Sequence, residues 1–99
     1  MRSYYAVIFT SQLAPEAPGY GDMADRMVRA VSSQPGFLGF DSVRDASRAG
    51  ITVSYWDSLD SIRRWKAVAE HREAQKMGQE KWYSKYRVRI AEVKEEYGS

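Results

Sequence analysis

The stretch from Ile51 to Gln75, ITVSYWDSLDSIRRWKAVAEHREAQ, leaves a chain few ways to fold. Ile51 to Trp56 is a run of β-branched and aromatic residues that suits a pleated strand. Asp57 and Ser58 follow at once as helix-capping residues, with Asp60 in the first turn beyond them. Leu59, Ile62, Trp65, Ala69 and Met77 then fall within one broad helical stripe, and Gly78 is expected to interrupt or end it. The stretch holds two of the three tryptophans and the only histidine, His71. Any site for chemistry is expected to touch it.

The flanking chain supplies partners for that strand and helix. Ser3 to Gln12 reads as a first strand, with Tyr5, Val7 and Phe9 on one face and Ala6 and Ile8 on the other, so both faces should be covered. Pro15, Pro18 and Gly19 mark a loop. Tyr20 to Ser33 reads as a helix, because Tyr20, Met23, Ala24, Met27, Val28 and Val31 share one face of a 3.6-residue repeat. Its Asp residues come early and its Arg residues late, as the helix dipole prefers. Gln34-Pro35-Gly36 ends it. Phe37 to Arg44 reads as a second strand, with Phe37, Gly39, Asp41 and Val43 on one face and Leu38 and Phe40 on the other. Gly39 suggests a bulge or a close backbone approach. A turn over residues 45–50 makes a hairpin with the strand from Ile51. Tyr86 to Val93 reads as the last strand, Tyr86, Val88 and Ile90 alternating with Arg87, Arg89 and Ala91.

The order β-α-β-β-α-β predicts an α+β, ferredoxin-like fold: a four-stranded antiparallel sheet with both helices on one face. A chain of 99 residues is expected to form a single domain over 1–99. It would bury roughly 60–65% of its unfolded surface, and so gains by hiding an apolar face against a second copy. The open sheet face is expected to expose several of Ile8, Phe40, Tyr55 and Trp56, depending on register. An exposed apolar sheet face usually marks an interface, which predicts a homodimer with the sheets face to face. Glu92, Glu95 and Glu96 are available to pair with Arg87 and Arg89 across it.

Composition excludes several function classes. A net charge of +2, with the arginines spread among acids, argues against nucleic acid as a partner. No run of about 18 apolar residues is present to span a membrane, and the N-terminus has no secretory leader pattern. The absence of cysteine rules out disulfides and thiolate chemistry and fits a cytoplasmic protein. One histidine with scattered carboxylates makes no transition-metal site. The serines lack a nucleophile-elbow context, and the glycines match no phosphate loop.

The remaining candidates are aromatic. Trp56, Trp65 and Trp82 are either core residues with satisfied indole N–H groups or walls of a pocket for a flat ligand. Tyr55, Tyr83 and Tyr86 are either core residues with wet hydroxyls or donors to a phenolate or carbonyl. His71 is the only side chain whose unperturbed pKa suits base chemistry near neutrality. Nine residues from Ile62, it falls on the opposite side of an unbroken helix; a kink near Ala69 and Glu70 would turn it inward.

PGF opening the second strand, the YW-x5-IRRW block from Tyr55, the Glu70-His71 pair and WYSKYRV from Trp82 together resemble the antibiotic biosynthesis monooxygenase family of dimeric α/β barrels. The resemblance covers about residues 4 to 95. It implies a homodimer and a cofactor-independent monooxygenase that oxidises a flat phenolic, anthrone-like or hydroquinone-like substrate with O2. By that resemblance Trp65 lines the pocket with Phe9, Trp56 and Trp82, His71 is the candidate base, and Tyr55 or Tyr83 is the candidate oxyanion donor. A non-catalytic dimer that binds a small aromatic or isoprenoid ligand, or has a stress-related role, fits the same residues. Haem degradation within the family uses a histidine about ten residues after the helix tryptophan and an asparagine on the first strand. Here Gln75 stands at the first position, and the chain has no asparagine.

Overall fold

The computed structural model describes residues 3–75 and 82–99, with side chains described over 3–69 and 82–99. The elements are β1 (Tyr4–Leu13), α1 (Tyr20–Ser32), β2 (Phe37–Arg44), β3 (Ala49–Trp56), α2 (Leu59–Gln75) and β4 (Tyr83–Val93). They form one four-stranded antiparallel sheet in the order β2-β3-β1-β4. The expected β-α-β-β-α-β order and ferredoxin-like sheet are therefore present. The expected stop at Gly78 and the apolar position at Met77 lie outside the described residues.

Two apolar clusters hold the helices to the same sheet face. Val31 of α1, Ile62 of α2 and Trp56 of β3 form one, with Tyr5, Val7, Phe37 and Trp65 packed around them. Leu13, Met23 and Trp82 form the other, with Ala17, Tyr20, Met27 and Tyr83 around them. Trp56 is fully buried and its indole N–H donates to Ser54 Oγ at 2.9 Å, so it meets the usual condition for a tryptophan in a core. Truncation of a side chain of this size to Ala costs about 3–5 kcal/mol.

Register assigns each strand residue a face. Tyr5, Val7, Phe9 and Ser11 pair with Trp56, Ser54, Thr52 and Gly50 on β3 and with Glu92, Ile90, Val88 and Tyr86 on β4, all on the helix side. Tyr4, Ala6, Ile8 and Thr10 pair across to Tyr55, Val53 and Ile51 and to Val93, Ala91, Arg89 and Arg87 on the open side. Two of the four residues expected on the open face are thus not there. Trp56 pairs with Tyr5 on the helix side, and so does Phe40, opposite Ser54. The cause is a register shift between Phe37 and Gly39, where Gly39 adopts φ 148°. An extra residue in one strand reverses the alternation beyond it. Phe37 and Phe40 therefore share a face, their rings 6.3 Å apart, while Asp41 and Val43 go to the open side.

The β3-to-α2 junction is held by a cap. Ser58 Oγ accepts the Ser61 N–H at 3.1 Å, and Ser61 Oγ donates to Asp57 Oδ1 at 2.7 Å. This network lies against Gly36, whose φ of 83° is left-handed and whose missing Cβ would collide with Ser61 and Asp57. The Asp57 N–H also donates to the Gly36 carbonyl at 2.9 Å. Gly36 is thus required both by backbone conformation and by close approach, and it ties the start of β2 to the helix that carries Trp65.

Candidate functional site

The helix-side face is covered unevenly. Val88 and Ile90 are 49% and 52% exposed although they face the helices, and Tyr86 is 47% exposed. Beside them on β1 lie the half-buried Val7 and Phe9. The β1–β4 half of this face is an apolar trough beside the packed helices. It runs from the Tyr5 row to the Ser11 row, a strand length of about 20 Å.

Aromatic rings stand at both ends. At one end Trp65 is half-buried and stacks on Trp56, ring centroids 6.3 Å apart at 24°. At the other, Phe9 meets Tyr83 edge-on at 5.2 Å and Tyr86 at 5.8 Å, and Tyr20 meets Tyr83 at 5.8 Å. Edge-to-face contacts of this kind hold rings in place while leaving flat surfaces available.

The structure separates the aromatic candidates into three environments. Phe9, Trp65 and Tyr83 are half-buried on the helix side, at the trough. Trp56 and Trp82, at 0% and 4% exposure, lie behind the surface, and the Trp82 indole N–H donates to the Pro18 carbonyl at 2.8 Å. Tyr55 lies on the opposite face of the sheet, where its hydroxyl donates to Asp41 Oδ2 at 2.9 Å. The sheet itself stands between Tyr55 and the trough. The strand alternation that makes Trp56 face the helices makes its neighbour Tyr55 face away. The His71 side chain lies outside the described residues.

Arg44 is a polar residue of this region that carries no signal in the sequence. Its guanidinium folds over Gly50, where any Cβ would strike it. One nitrogen donates to the Arg48 carbonyl at 2.7 Å, and another donates to Ser11 Oγ at 2.8 Å and the Tyr20 hydroxyl at 3.3 Å. It also lies 5.6 Å from the Tyr20 ring centroid, a cation–π distance. Only the coincidence of Gly50 opposite Arg44 in the hairpin would have pointed to it.

Displaced pKa values lie away from the trough. Hydrogen bonding to Asp41 and to Glu96 pushes the Tyr55 and Tyr4 phenols up, and both are on the open face. The Asp45 carboxyl is held below its ordinary value chiefly by the Ser47 hydroxyl, within the β2–β3 turn. Asp57 is held down chiefly by Ser61, with Ser58 and Arg64 adding to it, at the α2 cap. Among the described residues, no group of three or more His, Cys, Asp or Glu side chains is placed to hold a metal ion. Among them too, no helix is long and apolar enough to cross a membrane.

Comparison with known proteins agrees with this architecture. The model of the antibiotic biosynthesis monooxygenase family matches residues 4–77. The uncharacterized protein YqjZ of Bacillus subtilis (strain 168) is 52% identical over 90 residues, covering 91% of this chain and 79% of that protein. A mutant form of SnoaB, a cofactor-independent oxygenase from Streptomyces nogalater, superposes with a TM-score of 0.76 at 13% identity, covering 97% of this chain and 98% of that one. Rv0793 from Mycobacterium tuberculosis superposes with a TM-score of 0.72 at 13% identity, again over 97% and 98% of the two chains. At such identities the structural matches speak to fold.

Proposed function

The chain belongs to the antibiotic biosynthesis monooxygenase family, and from that premise we propose that it is a cofactor-independent monooxygenase of flat aromatic substrates. The observation that carries the reading is the trough of Val7, Phe9, Val88 and Ile90, exposed on the face a soluble protein would normally cover and closed by rings at both ends. A flat phenolic or anthrone-like molecule fits such a slot by apolar burial and ring contact. The fold it shares with SnoaB, a cofactor-independent oxygenase, supports the reaction class.

The chemistry asks little of the protein. A base removes a proton from an activated CH2 or O–H, and the resulting anion passes one electron to O2. The two radicals combine at carbon as a hydroperoxide, and loss of water leaves a carbonyl. One O2 per CH2 therefore yields one ketone and one water, with no outside reductant. The protein contributes a dry slot, a proton acceptor and a donor to the developing oxyanion. In this proposal Phe9 and Trp65 are the walls, Trp56 and Trp82 hold those walls from behind, Tyr83 is the donor and His71 is the base. Tyr55 takes no part, because it lies across the sheet. The assembly is a homodimer through the open sheet face, where Ile8, Val53, Ile51 and Val43 lie together.

A second reading, a dimer that binds an aromatic or isoprenoid ligand without turning it over, is favoured by one observation: the displaced pKa values stand away from the trough. Perturbed groups gather at catalytic sites more often than not. Oxygen uptake with anthrones, naphthols and hydroquinones separates the two. The monooxygenase reading expects uptake above the no-enzyme rate that falls in Trp65→Phe and His71→Ala. Tryptophan quenching by the same compounds with no uptake would overturn it in favour of the binder.

A further inference from the structure

The open face carries charge in an ordered way. Asp41, Val53, Ile8 and Arg89 form one row across the four strands, and Val43, Ile51, Thr10 and Arg87 form the next. The centre of the face is apolar, the β4 edge is basic through Lys85, Arg87 and Arg89, and the β2 edge is acidic through Asp41. Asp41, Arg87 and Arg89 are exposed, and none makes a salt bridge among the described residues, where Arg63 and Asp60 do. The Tyr55 hydroxyl holds one oxygen of Asp41 at 2.9 Å and leaves the other available.

Two copies packed face to face through a two-fold axis have two limiting arrangements. With the axis across the strands, β4 lies over β4 of the partner, and the basic edges oppose each other at every offset. With the axis along the strands, β4 lies over β2 of the partner and each row keeps its height. Arg89 then stands over the partner's Asp41, and by symmetry Asp41 stands under the partner's Arg89. Like charges juxtaposed at an interface are strongly unfavourable, and complementary ones fix register. A sheet separation of about 10 Å suits an extended arginine meeting a carboxylate. We infer that the second copy docks on the open face with the two-fold axis along the strands, clasped by two Arg89–Asp41 pairs. Tyr55 serves that interface by aiming the Asp41 carboxylate. The inference rests on the proposed homodimer and adds its register.

The test is sedimentation equilibrium of the full chain as wild type, Asp41→Arg, Arg89→Asp, the double exchange Asp41→Arg/Arg89→Asp, and Tyr55→Phe. Each single reversal should weaken dimerisation by about tenfold or more, and the double exchange should restore it to within about threefold of wild type. Tyr55→Phe should stay within about threefold, since it keeps both charges. A double exchange no tighter than the single reversals, or single reversals without effect, would overturn the register while leaving the dimer standing. A wild type that is monomeric at micromolar concentration would overturn the dimer itself. If circular dichroism shows a reversal variant to be unfolded, Asp41→Asn and Arg89→Gln replace the reversals. They must weaken association for the clasp to survive.

Discussion

Replacement of Gly36 by Ala isolates how the fold positions the helix that carries Trp65. Two costs act at this site. An L-residue in the left-handed conformation, φ 83° here, costs about 1–2 kcal/mol. The added Cβ also meets the Ser61 side chain, whose own Cβ lies 2.7 Å from the new atom. Ser61 is 2% exposed and has little room to retreat, so overpacking adds about 1–3 kcal/mol. Gly19 provides the matched control. Its φ is 82°, but a Cβ there meets nothing within 4 Å. Gly19→Ala should therefore cost only the backbone part, about 1–2 kcal/mol, and Gly36→Ala the sum, about 2–5 kcal/mol. Urea unfolding of the three proteins at one fixed concentration measures the difference, because association shifts apparent stability. Thermal melts should show it as about 4–8 °C per kcal/mol. Equal losses in the two variants would refute the argument that the α2 cap packs against Gly36.

Further predictions concern charge and hydrogen bonding. The folded-state pKa values of Asp57 and Asp45 are depressed, so their contribution is present above the ordinary aspartate pKa. It is lost as pH falls through the depressed values. Asp57→Asn and Asp45→Asn should each flatten the acid limb of a stability–pH profile, and an unchanged limb would contradict the assignment. The Tyr55 phenol is raised, so its contribution persists at neutral pH and is lost as pH rises through the raised value. Spectrophotometric titration should show a late-ionising phenol that returns toward the ordinary range in Asp41→Asn. Arg44→Lys removes the fork that reaches Arg48, Ser11 and Tyr20 together. It should cost about 1–2 kcal/mol, measured by urea unfolding; no loss would mean that a single ammonium satisfies the same acceptors.

The order of elements was legible because hydrophobic period changes cleanly between strands and helices, and the caps at Asp57 and Ser58 mark one boundary directly. Faces within strands were less so. Gly39 announced a bulge, but not that Phe40 would thereby join Phe37 on the helix side, since one inserted residue reverses every later side chain. Trp56 was ambiguous for the same reason: its face depends on pairing with Tyr5, a residue 51 positions earlier. Tyr55 seemed a plausible donor when judged by chemistry, yet its adjacency to Trp56 in a strand guarantees opposite faces. The trough could not be read from β4, where Val88 and Ile90 look like ordinary inward residues. Their exposure depends on how much of the sheet the two helices cover.

The central claim is that this protein inserts oxygen from O2 into a flat aromatic substrate bound in the trough. Mass spectrometry of an anthrone turned over under isotopically heavy O2 tests it most directly. The account predicts one heavy oxygen in each ketone formed, at a rate above the no-enzyme control and reduced in Trp65→Phe. Product formed no faster than without enzyme, or ketone whose new oxygen comes from water, would contradict it.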